Sequence, residues 1–278
     1  MTKFRTVALA CAISALALNG AYAQTAPAPA AETKEFKPYS GQEGKDVVWV
    51  PTPEELVERM LDMAKITKDD YVIDLGSGDG RTVITAAKRG TRAHGIEYNP
   101  DMVALSQRNA QKEGVTELAT FVQGDIFKSD FSKATVITLF LLPTLNVQLR
   151  PTLLDMKPGT RVVSNTFDMG DWEPDDRIDA GGDCKAYCRA MKWVIPAKVS
   201  GTWRVGEGEL KLTQKYQMLT GDLTVGGKAQ PISDAKMDGS KITFTAGGRK
   251  YSGDVAEDKM SGQVDGADAW TATRTSKG

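Results

Sequence analysis

Histidine and cysteine are scarce here: one His and three Cys stand among 278 residues. The single imidazole, His94, excludes a multi-histidine metal site within one chain. It also leaves no choice of partner for a Ser–His or Cys–His nucleophile, so no metal centre is expected. An excess of either charge is lacking too, with 35 Lys and Arg against 36 Asp and Glu. That balance gives no basic footprint, and no nucleic-acid partner is expected. No apolar run reaches the roughly 20 residues that span a bilayer. What is present, 41% hydrophobic residues, can build one large core or two ordinary ones.

Residues 1–23 combine Lys3 and Arg5, a run from Val7 to Leu18 that is apolar apart from Ser14, and Ala21-Tyr22-Ala23 before Gln24. This is the pattern of a cleaved secretory signal peptide, so the mature chain is expected to be periplasmic or secreted, without a transmembrane span. Residues 24–46 are rich in Ala, Pro and charge without periodicity, and read as a flexible linker. In an oxidising envelope Cys184 and Cys188 are candidates for a disulfide. Four residues apart, their Cα atoms would sit about 13 Å apart in a strand, beyond the roughly 7 Å limit for a bridge. A bridge therefore implies a local turn ahead of a strand at Lys192 to Ile195.

From Val47 to Pro196, apolar runs alternate with helical periods. Pro53 opens a helix, with Thr52 as a candidate N-cap and Leu56, Met60 and Met63 on one face. Strands are predicted at 71–75, ending at 97, and at 118–123, 134–139 and 160–165. Helices are predicted at 82–88, 100–113 and 145–156, the last interrupted or kinked near Pro151. Alternation of this kind predicts an α/β domain over 47–196, a doubly wound, mainly parallel sheet. From residue 197 to 278 the helical periods stop. Turn signals recur at Gly226-Gly227, Asp238-Gly239, Gly247-Gly248 and Asp265-Gly266, and Leu210, Leu212, Tyr216 and Met218 keep period two. This predicts a separate antiparallel β-meander or small barrel of five or six strands.

The sharpest motif is Val72-Ile-Asp-Leu-Gly-Ser-Gly-Asp-Gly-Arg81. Gly76, Gly78 and Gly80 after a strand and before a helix allow positive φ and close approach of a ligand to backbone. A dinucleotide fingerprint would place its third glycine at Arg81, and its pyrophosphate would meet Asp74 and Asp79. One such like-charge contact costs on the order of 4 kcal/mol at 4 Å and an effective dielectric of 20. A cationic ligand is favoured instead. Glu97 ends the second strand, where a carboxylate can accept both hydroxyls of a ribose. Asp125 follows the third strand, where it can accept from an adenine amino group while Ile126 packs on the ring. Ligands of open parallel sheets bind at this strand edge.

On these residues, 47–178 resemble a class I S-adenosylmethionine-dependent methyltransferase with a Rossmann-like fold. Trp49-Val-Pro-Thr-Pro53 ahead of the glycine loop is similar to the lysine methyltransferases that modify ATP synthase and the adenine nucleotide translocase. Leu141-Leu-Pro143 and Ser164-Asn-Thr-Phe-Asp-Met-Gly-Asp-Trp172 resemble a bacterial group of that kind with a β-rich tail. The resemblance implies S-adenosylmethionine as cofactor, held by Thr52, Asp74, Gly76, Ser77, Gly78, Asp79, Gly80, Glu97, Tyr98, Asp125, Ile126, Phe140 and Leu141. It implies in-line methyl transfer to an acceptor, a protein lysine by likeness, with Asn165 and Asp168 as the catalytic candidates. Asp168 reads equally as a cap on the turn into Met169-Gly170. Trp172 reads as packing and His94 as structural. The alternative is an exported, non-catalytic binding protein that reuses the pocket, with residues 197–278 as an interaction module.

Overall fold

A computed structural model describes residues 1–2, 36–181 and 184–278, and residues 36–278 form one compact unit. The expected signal peptide and the first part of the expected linker lie outside the described residues.

Five parallel strands are built as the hydrophobic pattern predicts. They are β1 (Tyr71–Leu75), β2 (Arg92–Glu97), β3 (Ala119–Gln123), β4 (Val136–Leu139) and β5 (Arg161–Asn165), ordered β3-β2-β1-β4-β5. Period two sends their side chains to two cores. Val72, Val136 and Val163 pack with the apolar sides of α1 (Glu54–Ala64), α2 (Arg81–Lys88) and α3 (Pro100–Lys112). Ile73, Leu75, Ile137, Leu139 and Val162 pack on the other face with Leu149 and Leu153 of α4 (Pro143–Leu154). α4 is not interrupted at Pro151 but continues through it as one element. The N-cap of α1 is Pro53 rather than Thr52 and makes no side-chain capping bond.

The sheet then turns antiparallel. β7 (Arg189–Val194) pairs with β5, and β6 (Asp176–Asp179) with β7. The sequence does not predict β6, because Asp176-Arg177-Ile178-Asp179 carries one apolar residue and no alternation. The connection between these strands holds the Cys184–Cys188 disulfide, with Cα atoms 5.8 Å apart. The turn it needs is there: the chain bends at Ala186 and Tyr187, with Tyr187 at φ 57°.

The C-terminal part is a β-barrel of nine strands rather than five or six. They are β8 (Gly201–Val205), β9 (Gly208–Lys215), β10 (Met218–Val225), β11 (Lys228–Pro231), β12 (Ser233–Asp238), β13 (Lys241–Ala246), β14 (Arg249–Ala256), β15 (Lys259–Val264) and β16 (Asp268–Lys277). β16 pairs with β8, β8 with β9, and β9 with β10, which closes the ring onto β12. Trp203, Leu210, Leu212, Met237, Ile242, Phe244, Met260 and Trp270 fill its interior. The undercount has a local cause. The hairpins at Tyr216-Gln217 and Glu257-Asp258 turn without glycine, with Tyr216 and Glu257 at φ 55° and 53°. The apparent period two therefore breaks at Tyr216, and Met218 is exposed.

The β9–β10 hairpin tip docks on the loop after β5. The Trp172 indole N–H donates to Gln217 Oε1 at 2.8 Å, and Gln217 Nε2 donates to the Glu173 carbonyl at 2.8 Å. The Tyr216 ring stacks on Trp172 at 5.6 Å, and its hydroxyl donates to Asp171 at 2.8 Å. Trp172 is fully buried, the packing role expected of it. Gln217→Leu leaves a buried indole N–H unpaired, which costs about 1–3 kcal/mol. The expected result is a lower urea midpoint with an unchanged slope.

Candidate active site

The carboxyl ends of β1, β2 and β4 and the loop after β3 converge on one cleft, closed from above by residues 42–52. Register places the first acid. Asp74 lies opposite Thr138 on β4 and accepts its hydroxyl at 2.6 Å. Burial pushes this carboxyl up to about 7; Thr138 opposes the rise, and the charges of Glu97 and Asp79 add to it.

Gly76 and Gly78 hold φ of 81° and 54°, a backbone that favours glycine. A Cβ at Gly78 would lie 2.5 Å from Trp49 Nε1, so the indole packs directly on the loop. Glu97 is held from two sides: Gly78 N–H donates to Oε2 and Asn99 N–H to Oε1, both at 2.9 Å. Each oxygen keeps a second lone pair for a hydroxyl donor. Asp125 accepts from Phe127 N–H at 3.0 Å and from Lys45 at 3.1 Å, which holds its carboxyl below the usual range. Tyr98, Ile126, Phe140 and Leu141 line the same cleft.

Asn165 is fully buried at the end of β5, and its Nδ2 donates to Thr52 Oγ1 at 3.2 Å. Thr52 thus serves the site rather than a helix end. Phe140, Phe167 and Tyr187 form an aromatic wall after β4 and β5, with ring centroids 5.2 to 6.3 Å apart. The disulfide loop supplies Tyr187.

Four of the expected site residues have structural contacts of their own, although Ser77 and Asp79 also line the cleft. Asp168 is exposed and accepts from Gly170 N–H at 3.0 Å, so it caps the turn as its bland reading had it. Gly80 begins α2, and a Cβ there would strike Ser106 and Phe121 within 2.8 Å; its need is helix packing. The Asp79 carboxylate is taken by Arg81, at 2.6 Å from Nη2. The Ser77 hydroxyl packs against Gly95 without a partner, which leaves its backbone to the cleft. His94 is structural, its Nδ1 2.8 Å from Thr120 Oγ1. Sequence reasoning missed Thr138, Lys45, Arg81 and, in the aromatic wall, Phe167 and Tyr187. Only register could have pointed to Thr138, and Lys45 carried no signal inside a charged, aperiodic stretch.

The cleft fits S-adenosylmethionine. Asp74 and Glu97 face it with no basic partner in hydrogen-bond reach among the described residues, which suits an ammonium and a ribose and repels a pyrophosphate.

The model of the ANTKMT methyltransferase domain matches residues 74–176 and ends before the barrel. A protein-lysine N-methyltransferase of Saccharolobus islandicus is 48% identical over 135 residues, 48% of this chain and 84% of the relative. A lysine N-methyltransferase of ATP synthase from Homo sapiens is 35% identical over 136 residues, 49% of this chain and 58% of the relative. The chain thus spans less than two thirds of that human protein. A solved structure of an RNA methyltransferase from Salinibacter ruber in complex with S-adenosyl-L-homocysteine is 48% identical with a TM-score of 0.51. It covers 54% of this chain and 96% of that one.

Glu97→Ala removes both pre-aimed oxygens and is expected to weaken S-adenosylhomocysteine binding tenfold or more, roughly the worth of one charge-assisted hydrogen bond, by calorimetry. The pH dependence follows from Asp74. Its ionised form attracts the ammonium, and its carboxyl titrates near 7. Affinity should therefore fall as pH drops from 7 to 5.5, with a proton released on binding in that window. The same titration of Asp74→Asn should be weak and flat.

Proposed function

Because the chain belongs to the ANTKMT methyltransferase family of S-adenosylmethionine-dependent enzymes, we propose that it methylates the side-chain amine of a protein lysine. The reading rests on the lysine-methylating relatives combined with an acidic cofactor cleft that opens beside Asn165. When bound, the cofactor supplies an electrophilic methyl group, and the chain's own residues do the positioning.

Asp74 holds the ammonium, Glu97 the ribose hydroxyls, and Asp125 with Ile126 the adenine. Phe140 and Leu141 close the side towards the acceptor. Asn165 and Thr52 form a neutral polar pair where the acceptor nitrogen must stand. Neither is a base at neutral pH, and Asp168 is bound in its turn. The acceptor amine must therefore arrive deprotonated. The aromatic wall of Phe140, Phe167 and Tyr187 favours that by desolvating it. Alignment of amine and methyl then supplies most of the acceleration.

Residues 1–23 support action in the cell envelope, and the Cys184–Cys188 disulfide agrees with an oxidising compartment. A mature protein that begins at Gln24 by mass spectrometry is the expected result. The RNA-methylating relative makes nucleic acid the competing acceptor, against which the net charge of −1 argues. The discriminating experiment incubates the mature protein and labelled cofactor with envelope proteins and, separately, with RNA. Label on a lysine in the protein fraction is expected; label confined to RNA would overturn the reading. With a lysine acceptor, kcat/KM should rise with a slope near one between pH 7.5 and 9, because the neutral amine is the reactive form. Asn165→Ala should lower kcat about tenfold or more while S-adenosylhomocysteine affinity stays within a factor of about three.

A further inference from the structure

Residues 39–52, whose first part was expected to belong to a flexible linker, fold over the cofactor cleft. Gly41 N–H donates to the Trp49 carbonyl and Trp49 N–H to the Gln42 carbonyl, both at 2.8 Å. The two bonds close a short loop, residues 43–48, with its base fixed by the Trp49 indole on Gly78. From that loop Lys45 reaches across the cleft. Its ammonium lies 3.1 Å from Asp125 Oδ2, 5.3 Å from the centre of the Tyr98 ring and 5.8 Å from that of Phe127. The other oxygen of Asp125 already accepts from Phe127 N–H. An N–H donor on Oδ2, lying against two aromatic faces, is also what an adenine amino group would provide there.

We propose that Lys45 is an internal stand-in for the adenine amino group, occupying Asp125 until the cofactor displaces it. The loop carrying it then swings on the Trp49 anchor. The geometry suits exchange. The Lys45 ammonium sits at the cleft surface, with 34% of its side chain exposed, and it divides itself between Asp46 and Asp125, which keeps each ion pair weak. The hinge is held by backbone bonds and a packed indole. The latch therefore opens first and the base stays. Such a contact keeps the acidic cleft partly neutralised while empty and sets a threshold for cofactor entry. The inference rests on the cofactor assignment and is independent of the acceptor.

The test is calorimetric titration of S-adenosylhomocysteine into the mature protein and its Lys45→Met and Lys45→Arg variants. Methionine keeps the stem and loses the competing charge, so Lys45→Met should bind at least threefold more tightly, while Lys45→Arg stays near wild type. Weaker or unchanged binding by Lys45→Met would overturn the proposal, because Lys45 would then assist the bound cofactor or ignore it. Limited trypsin digestion gives a second reading on wild type. Saturating S-adenosylhomocysteine should speed cleavage after Lys45 as the side chain is released; slower cleavage would mean the loop clamps down, and the stand-in role would fail. Because both arms read binding of the cofactor product, a failure to methylate lysine leaves them unaffected.

Discussion

The site depends on one costly burial, the Asp74 carboxylate at the end of β1. Its carboxyl stands near 7 instead of the usual 3.8, chiefly because it is out of water, and the nearby acids Glu97 and Asp79 add to the rise. Three pH units correspond to something on the order of 4 kcal/mol of differential cost. The sign is unfavourable for the empty protein. The folded pKa lies above the unfolded one, so the penalty grows as pH rises from about 4 to 7 and is constant above. No cation relieves it among the described residues; the opposing hydrogen bonds come from the neutral hydroxyls of Thr138 and, more weakly, Thr82. A cationic ligand group offsets the penalty directly, which is why the site prefers an ammonium. Stability is given up at the strand end, and binding recovers it.

The surrounding acids are treated one by one. Asp79 is neutralised by Arg81, whose Nη1 also donates to the Thr52 carbonyl at 2.8 Å and so ties the overlying segment to the glycine loop. Glu97 is held by two backbone amides rather than by a charge, which fixes its direction and leaves its acceptor capacity free. Asp125 takes lysines, Lys45 of the covering loop at 3.1 Å and the exposed Lys128 at 3.9 Å. Charge balance and closure of the cleft are therefore the same structural feature.

Much of this was legible in residues. β1, β4 and β5 can be foreseen because burial on both faces writes short apolar runs, and β1 matches to the residue. The glycine loop and the acids at 74, 97 and 125 stand out because their positions follow from strand ends alone. What could not be read depends on tertiary register or on turns without a marker. β6 is charged and mostly exposed, so no pattern announces it. The hairpins at Tyr216 and Glu257 place ordinary side chains in the left-handed region, which sequence reads as continuing strand. Asp79 and Ser77 line the cleft, but the Asp79 carboxylate is paired with Arg81 and the Ser77 hydroxyl is packed against Gly95, details invisible to spacing.

The same distinction explains the segment Ser164-Asn-Thr-Phe-Asp-Met-Gly-Asp-Trp172. Asn165 donates to Thr52, which lines the cleft, Phe167 joins the aromatic wall, and Ser164 donates to the Phe167 carbonyl at 2.7 Å, which bends the chain. Asp168 closes the next turn onto Gly170. Beyond it the direction reverses. Arg150 of α4 bridges the Met169 carbonyl and Asp171, and Asp171 with Trp172 receives the barrel hairpin. Nine consecutive residues thus support Thr52 of the cleft at one end and receive the barrel at the other. Tyr216 and Gln217 brace the loop on which Asn165 and Phe167 depend. The barrel therefore contributes to the site through position, although among the described residues none from the barrel lines the cleft.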